Sequence, residues 1–175
     1  MKEKVINEEI VYEGHTLSVS NRTVQLASGH KSNRDIILFP KVAVILPFEP
    51  PDKIHLIQQY RTAAEQTLLE VPAGKIDPNE APVDGAKREL EEETGITATS
   101  WTLLGESFAT PGFCTEYMYF YLARDLSFGD THLDEDEIIE QKTVTISELD
   151  SLIDRHKIHD NKTMLCYLLS KPRLQ

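Results

Sequence analysis

Cysteine is nearly absent from this chain of 175 residues, which has two, Cys114 and Cys166. They form no metal-ligand spacing and both lie in apolar surroundings. The expectation is a pair of buried thiols in a reducing compartment, in a fold that rests on its core rather than on disulfides. Long apolar runs are missing as well. No stretch approaches the length of a membrane span, and the opening residues Met-Lys-Glu-Lys-Val-Ile-Asn-Glu-Glu lack the apolar segment of a signal peptide. A soluble, cytoplasmic protein is expected. Positive charge is scarce too, with 18 Lys and Arg against 29 Asp and Glu and a formal net charge of −11. Such a surface repels polyanions, which argues against nucleic acid or an anionic membrane as partner. A small phosphate ester stays compatible, provided metal ions and a few placed arginines offset the local field. Repeats and low-complexity blocks are absent, and the length suits one domain with a sizeable core.

What is present is a succession of strand patterns interrupted by one strongly marked helix. Residues 5–12, 17–25 and 34–39 alternate enough to be short strands, separated at Glu13-Gly14 and at Ser28-Gly29-His30. The run from Lys41 to Phe48 is almost continuously apolar, as a buried central strand is. The chain turns at Glu49-Pro50-Pro51-Asp52, and Lys53 to Tyr60 returns as a strand. Leu68 to Val71 is extended, Thr102 to Phe108 and Tyr117 to Ala123 read as further strands, and a last one ends at Thr145-Ile146. A helix is expected to start near Ala81 to Val83, where proline is tolerated in the first turn, and to stop at Gly95. Ser147 with Asp150 resembles a cap for a second helix through about His156. A third, near Lys162 to Ser170, has Asp160 or Asn161 as its cap.

The first helix carries the chemistry. Glu89, Glu92 and Glu93 stand at i, i+3 and i+4, so their carboxylates share one face. At about 100° per residue, Val83, Ala86 and Leu90 form an adjoining apolar wedge, while Asp84, Lys87 and Glu91 point to water. Like charges at these spacings repel, and an oxygen-rich cluster of this kind suits a hard divalent cation, Mg²⁺ above all, with Mn²⁺ also possible. Arg88 lies one turn from both Asp84 and Glu92, so it can pair along the helix and hold a carboxylate in place.

Gly74, five residues, Glu80, seven residues, Arg88-Glu89-Leu90, one residue, Glu92-Glu93, one residue, Gly95-Ile96 matches the Nudix box at each defined position. The chain resembles a Nudix hydrolase. That resemblance implies an α/β Nudix fold, an α/β/α sandwich with a mixed sheet and an N-terminal β-rich arm. It also implies cleavage of a nucleoside diphosphate linked to some other group. The implied metal ligands are Glu89, Glu92, Glu93 and the backbone carbonyl of Ala73. Arg88 and Glu92 belong to the catalytic set, Glu80 is an orienting group, and Gly74 allows a close backbone approach. The acidic stretch Leu133-Asp134-Glu135-Asp136-Glu137-Ile138-Ile139-Glu140, taken alone, is a solvated loop. In the ADP-ribose pyrophosphatase branch a loop at this place carries the base and a further ligand. That implies Glu135 as general base and Glu137 as ligand, or Glu140 in a slipped register.

The flanks resemble the same branch. They include Pro111, sixteen residues after Gly95 and inside Phe108-Ala109-Thr110-Pro111-Gly112-Phe113, and Gln59-Tyr60-Arg61 before the box. Glu70-Val71-Pro72-Ala73-Gly74-Lys75-Ile76 and Asp160-Asn161-Lys162-Thr163 join them, so the similarity covers nearly the whole chain. It implies an N-terminal arm, residues 1–40, serving dimerisation and base binding, a hydrolase domain over 41–175, and a homodimer. By position Arg34 and Arg61 meet the diphosphate or a ribose, where a guanidinium suits phosphate geometry. Glu116 takes hydrogen bonds from the terminal ribose, and Thr110 is a further substrate contact. Relatives often place an aromatic ring on the base; here His15 or Tyr12 stands in. The implied reaction turns ADP-ribose into AMP and ribose 5-phosphate. GDP-mannose, or a broad range of nucleoside diphosphate sugars, is the alternative. A non-catalytic ADP-ribose-binding module is disfavoured by the intact box carboxylates.

Overall fold

Alternation puts three strands first, and a computed structural model, which describes residues 2–133 and 138–174, has them as β1 (Lys4–Glu13), β2 (Ser18–Gln25) and β3 (Lys31–Leu38). They form an antiparallel sheet in the order β1-β2-β3. β1 is exposed along its whole length, and Ser20 and Val24 are the buried residues of β2. This compact unit, residues 1–41, also takes in Ser107–Met118. Ile37 N donates to Phe113 O at 2.7 Å and Thr115 N to Ile37 O at 2.9 Å, so β3 has backbone partners along both edges.

The second compact unit comprises 42–106 and 119–175. Its elements are β4 (Val42–Glu49), β5 (Lys53–Arg61), β6 (Gln66–Glu70), β7 (Ala73–Lys75), α1 (Pro82–Thr94), β8 (Ile96–Phe108), β9 (Tyr117–Phe128), β10 (Ile139–Thr145), α2 (Ile146–Asp154) and α3 (Asn161–Ser170). The sheet runs β10-β5-β4-β9-β8, with β6 also on β5 and β7 on β4. β4 is buried from Val42 to Phe48, as its apolar run requires. Ala43 and Ile45 pack with Ala86, Leu90, Ile96, Tyr121 and Ala123 on the α1 side. Val44 and Leu46, equally buried, alternate to the other face, which α3 covers. Each fully buried Leu or Ile contributes roughly 1.5–3 kcal/mol. The result is an α/β/α sandwich. Among the described residues no helix is long and apolar enough to cross a membrane.

Some local expectations change. β8 begins at Ile96 rather than Thr102, because Gly95 reverses the chain straight into the strand through the short side chains of Thr97, Ala98, Thr99 and Ser100. β9 runs on to Phe128. β7 is three residues long, too short to leave a period in the sequence, and exists through its register on β4, Ala43 opposite Gly74. Helix α2 is capped by Thr145 with Glu148, not by Ser147 with Asp150: Glu148 N donates to Thr145 Oγ1 at 3.1 Å and Thr145 N to Glu148 Oε2 at 2.7 Å. It stops at Asp154, and His156 turns the chain at φ 54°. Of the two candidate caps for α3, Asp160 is the one, accepting from Thr163 N at 2.9 Å. Cys166 is buried, but Cys114 is half-buried at the chain beside β3; both are free thiols.

Candidate metal and active site

Pro82 opens α1, where its missing N–H leaves nothing unpaired, and Gly95 closes it by donating to Glu91 O at 2.7 Å. Gly95 is needed twice. Its φ is 66°, and a Cβ there would run into the backbone of Gly129 and Asp130. The faces follow the helix repeat: Ala86 and Leu90 are buried, Asp84, Lys87 and Glu91 exposed, and Glu89 and Glu92 half-buried, while Glu93 is 4% exposed.

Arg88 gathers the carboxylates. Its Nη1 donates to Glu89 Oε1 at 2.8 Å and to Glu92 Oε2 at 2.9 Å. Nε and Nη2 donate to the two oxygens of Glu80 at 3.1 Å, and Nη2 also to Lys75 O at 2.8 Å. Of the two helix partners its spacing allows, Glu92 takes it; Asp84 pairs with Lys87 at 2.9 Å. The hydrogen bonds from Arg88 hold the Glu80 carboxyl below the usual carboxylate range. In return Glu80 first, then Glu89 and Glu92, outweigh burial and hold the guanidinium far above its ordinary value. One arginine among three carboxylates, with Glu93 close in sequence, leaves negative charge in excess.

The strand β7 faces these groups. Ala73 N donates to Glu93 Oε2 at 3.0 Å, which ties the helix to the strand. A Cβ on Gly74 would fall inside the Glu89 carboxylate, so the absent side chain makes the space that this carboxylate fills. The donors assembled here are oxygens, the carboxylates of Glu89, Glu92 and Glu93 beside the Ala73 backbone, and secluded carboxylates need a positive partner. Such a donor set fits a hard divalent cation. Among the described residues no three acidic, His or Cys side chains converge into a ready cage: Arg88 holds Glu89 and Glu92, and Ala73 holds Glu93. Glu135 and Glu137, the expected base and further ligand, lie outside the described residues. Glu140 lies in β10 beside Gln141, whose Nε2 donates to Thr94 O at 2.9 Å. Alternation therefore turns Glu140 to the face away from α1.

The NUDIX domain family matches residues 38–166. The chain belongs to the Nudix family. It is 35% identical over 179 residues to the ADP-ribose pyrophosphatase of Bacillus subtilis (strain 168), covering 100% of this chain and 97% of that one. It is 33% identical over 166 residues to the methanol dehydrogenase activator of Bacillus methanolicus, covering 94% and 90% of the two chains. Among solved structures, that of an ADP compounds hydrolase superimposes with a TM-score of 0.88 over 99% of this chain and 95% of the other. At 24% identity that likeness shows a shared Nudix fold.

The box residues of this Nudix domain are thus brought together; of the residues expected at the substrate, Arg61 belongs to the same compact unit, and His15, Arg34, Thr110 and Glu116 belong to the first. Arg61 Nε and Nη2 donate to Glu70 Oε1 and Oε2 at 2.8 and 2.9 Å, a bidentate pair with a carboxylate that is 1% exposed. Glu70 also accepts from Lys162 Nζ at 3.3 Å. Neither Glu70 nor Lys162 was expected to act at the site. Their signal lay in the flanking segments Glu70-Val71-Pro72 and Asp160 to Thr163. Arg34, in the first unit, donates to Glu3 Oε1 at 2.7 Å, Ser32 Oγ at 2.8 Å and Asn33 O at 3.0 Å. Thr110 O accepts from Phe113 N at 3.2 Å and Cys114 N at 3.0 Å, shaping the turn at Pro111. Glu116 O accepts from Ala109 N at 3.1 Å across the same turn. His15 is exposed in the β1–β2 turn, where the Tyr12 ring lies against Gly14.

Proposed function

We propose that this Nudix enzyme hydrolyses the diphosphate of a nucleoside diphosphate sugar, with ADP-ribose as substrate and AMP and ribose 5-phosphate as products. The observation that carries the chemistry is the meeting of Glu89 and Glu93 with Ala73-Gly74, organised by Arg88. The full-length likeness to a bacterial ADP-ribose pyrophosphatase supports the substrate.

Glu89, Glu92, Glu93, the Ala73 carbonyl and Glu137 are the residues that would hold the cation, Mg²⁺ in this reading. A divalent cation supplies charge neutralisation at the diphosphate and a lowered pKa for water. Glu135 takes the proton as the water oxygen bonds to phosphorus; the bond to the bridging oxygen breaks and that oxygen departs on the other phosphate. Arg88 keeps Glu89 and Glu92 oriented. Arg34 and Arg61 bind the diphosphate, Glu116 and Thr110 the ribose end, and His15 the base. The N-terminal arm pairs with a second copy, a role supported by the exposed Val5, Ile10, Val11 and Tyr12 on the edge strand β1. Free thiols suit a cytoplasmic setting.

Initial rates on ADP-ribose, GDP-mannose and ATP with Mg²⁺ or Mn²⁺ test this reading. ADP-ribose is expected to lead by kcat/KM. A clear lead for GDP-mannose overturns the substrate and leaves the mechanism standing, whereas full activity in excess chelator overturns the mechanism.

A further inference from the structure

The segment Asp160-Asn161-Lys162-Thr163 has no part in the chemistry above, yet it touches the chain at Glu70 and Val71, just before Ala73. Asp160 caps α3 through Oδ2, which accepts from Thr163 N at 2.9 Å and from Thr163 Oγ1 at 2.7 Å. Thr163 Oγ1 in turn accepts from Val71 N at 2.8 Å. Val71 stands two residues before Ala73, whose N–H holds Glu93. Lys162 Nζ lies 2.6 Å from Asp160 Oδ1 and 3.3 Å from Glu70 Oε2, the oxygen that also accepts from Arg61 Nη2. One turn of α3 therefore grips both the Glu70 carboxylate and the main chain next to it.

Four charges alternate along this line. Arg61 is 37% exposed, Glu70 1%, Lys162 19% and Asp160 7%, so a guanidinium stands at the open end and carboxylates are sunk behind it. The open end faces α1. Gln141, opposite Ile57, reaches Thr94 O, and Ile57, Gln59 and Arg61 alternate onto that same face of the sheet. Glu70 first, and then the nearby charge of Glu93 among others, raise the Arg61 pKa against its burial. We propose that Lys162 is a positioning residue for substrate binding: it shares the buried Glu70 with Arg61, so that Glu70 aims the guanidinium at the diphosphate without absorbing its charge. This rests on the reading of Arg61 given under Proposed function.

The physical reason is charge balance. Two secluded carboxylates beside a single guanidinium would draw it inward and leave it no net attraction for an anion. With Lys162 present the four charges sum to zero and the positive end is the exposed one. A lysine suits the place because its compact ammonium reaches two carboxylates from one flexible stem. Burial opposes its charge, but Asp160 and Glu70 outweigh that and hold its pKa above the ordinary value.

Lys162→Met removes the charge and keeps the stem; Lys162→Arg restores the charge. With ADP-ribose and Mg²⁺, Lys162→Met should raise KM about tenfold, hold kcat within about threefold, and leave Mn²⁺ binding measured without nucleotide as in the wild type. The Kd for α,β-methylene ADP-ribose should rise in parallel, and Lys162→Arg should regain most of the loss. In an Arg61→Met background the same substitution should add nothing to KM or Kd. If Lys162→Met does not fold, Lys162→Gln, which can still donate to a carboxylate, carries the same measurements. Unchanged KM and Kd in a folded variant, or an equal rise in both backgrounds, would leave Lys162 a structural ion pair and overturn the inference alone. A wild-type chain that neither turns over ADP-ribose nor binds the analogue overturns the proposed function, and this inference with it.

Discussion

Arg88 and Arg61 both bind carboxylates in the Nudix domain, with side chains 31% and 37% exposed, so exposure does not distinguish them. Their partners do. Arg88 bonds Glu80, Glu89 and Glu92, eight, one and four residues away. Arg61 bonds Glu70 nine residues away, across the β5–β6 hairpin, and through Glu70 meets Lys162, 92 residues from that glutamate. The first cluster is assembled by one helix and the turn before it. The second exists because α3 docks its first turn on the end of β6. Under the proposed function the contrast gives two residues of the same type different work: Arg88 would order the groups that act on the cation, and Arg61 would present charge to the substrate.

The strongest way to break that contrast is at the carboxylates proposed to hold the cation and to act as base. Glu93→Gln keeps the shape and should lower kcat roughly 10³-fold, and Glu135→Gln should depress kcat by about 10²–10⁴ with little change in KM. Full turnover in folded Glu93→Gln protein would remove the cation site from α1. A smaller effect is expected from Arg88→Lys, which cannot span Glu80, Glu89 and Glu92 at once and should weaken cation affinity or activity by about 10–100-fold. Isothermal titration with Mn²⁺ and steady-state rates distinguish it from Arg61→Lys, where KM should carry the change. A pure KM effect from Arg88→Lys would erase the difference between the two arginines.

The smallest effect concerns stability at the far end of the Arg61 cluster. Burial would raise the Asp160 pKa, but the Lys162 ammonium, followed by the hydrogen bonds from Lys162 and Thr163, more than offsets it and leaves the carboxyl below its ordinary value. A carboxylate depressed by folding stabilises the fold above its unfolded pKa, about 3.9, and this is lost as pH falls through the folded value. Asp160→Asn, which can still cap α3, should cost about 1–3 kcal/mol near neutral pH. Denaturant melts should show that gap narrowing as pH drops below about 4. A gap independent of pH would assign the loss to cap geometry and not to the charge.

Much of the first cluster is legible in the sequence. The helix repeat converts spacing into direction, so Glu89, Glu92 and Glu93 had to share a face, and Ala86 and Leu90 had to pack, as they do. The continuous apolar run of β4 likewise announced a central strand. Where local choices were close in energy the sequence was silent: Arg88 had Asp84 and Glu92 at equal distance along the helix, and Lys87 removed the first.

By itself, then, the sequence determined what repeats at short range, the strands, the box helix with its acidic face, and the glycine that ends it. Tertiary structure alone decided that three residues around Gly74 lie on β4 against Glu89, and that Lys162 stands behind Arg61. The reason is physical. A helix or strand period is imposed by backbone geometry within a few residues. A contact across ninety residues exists only after packing has overcome the entropy of bringing those segments together.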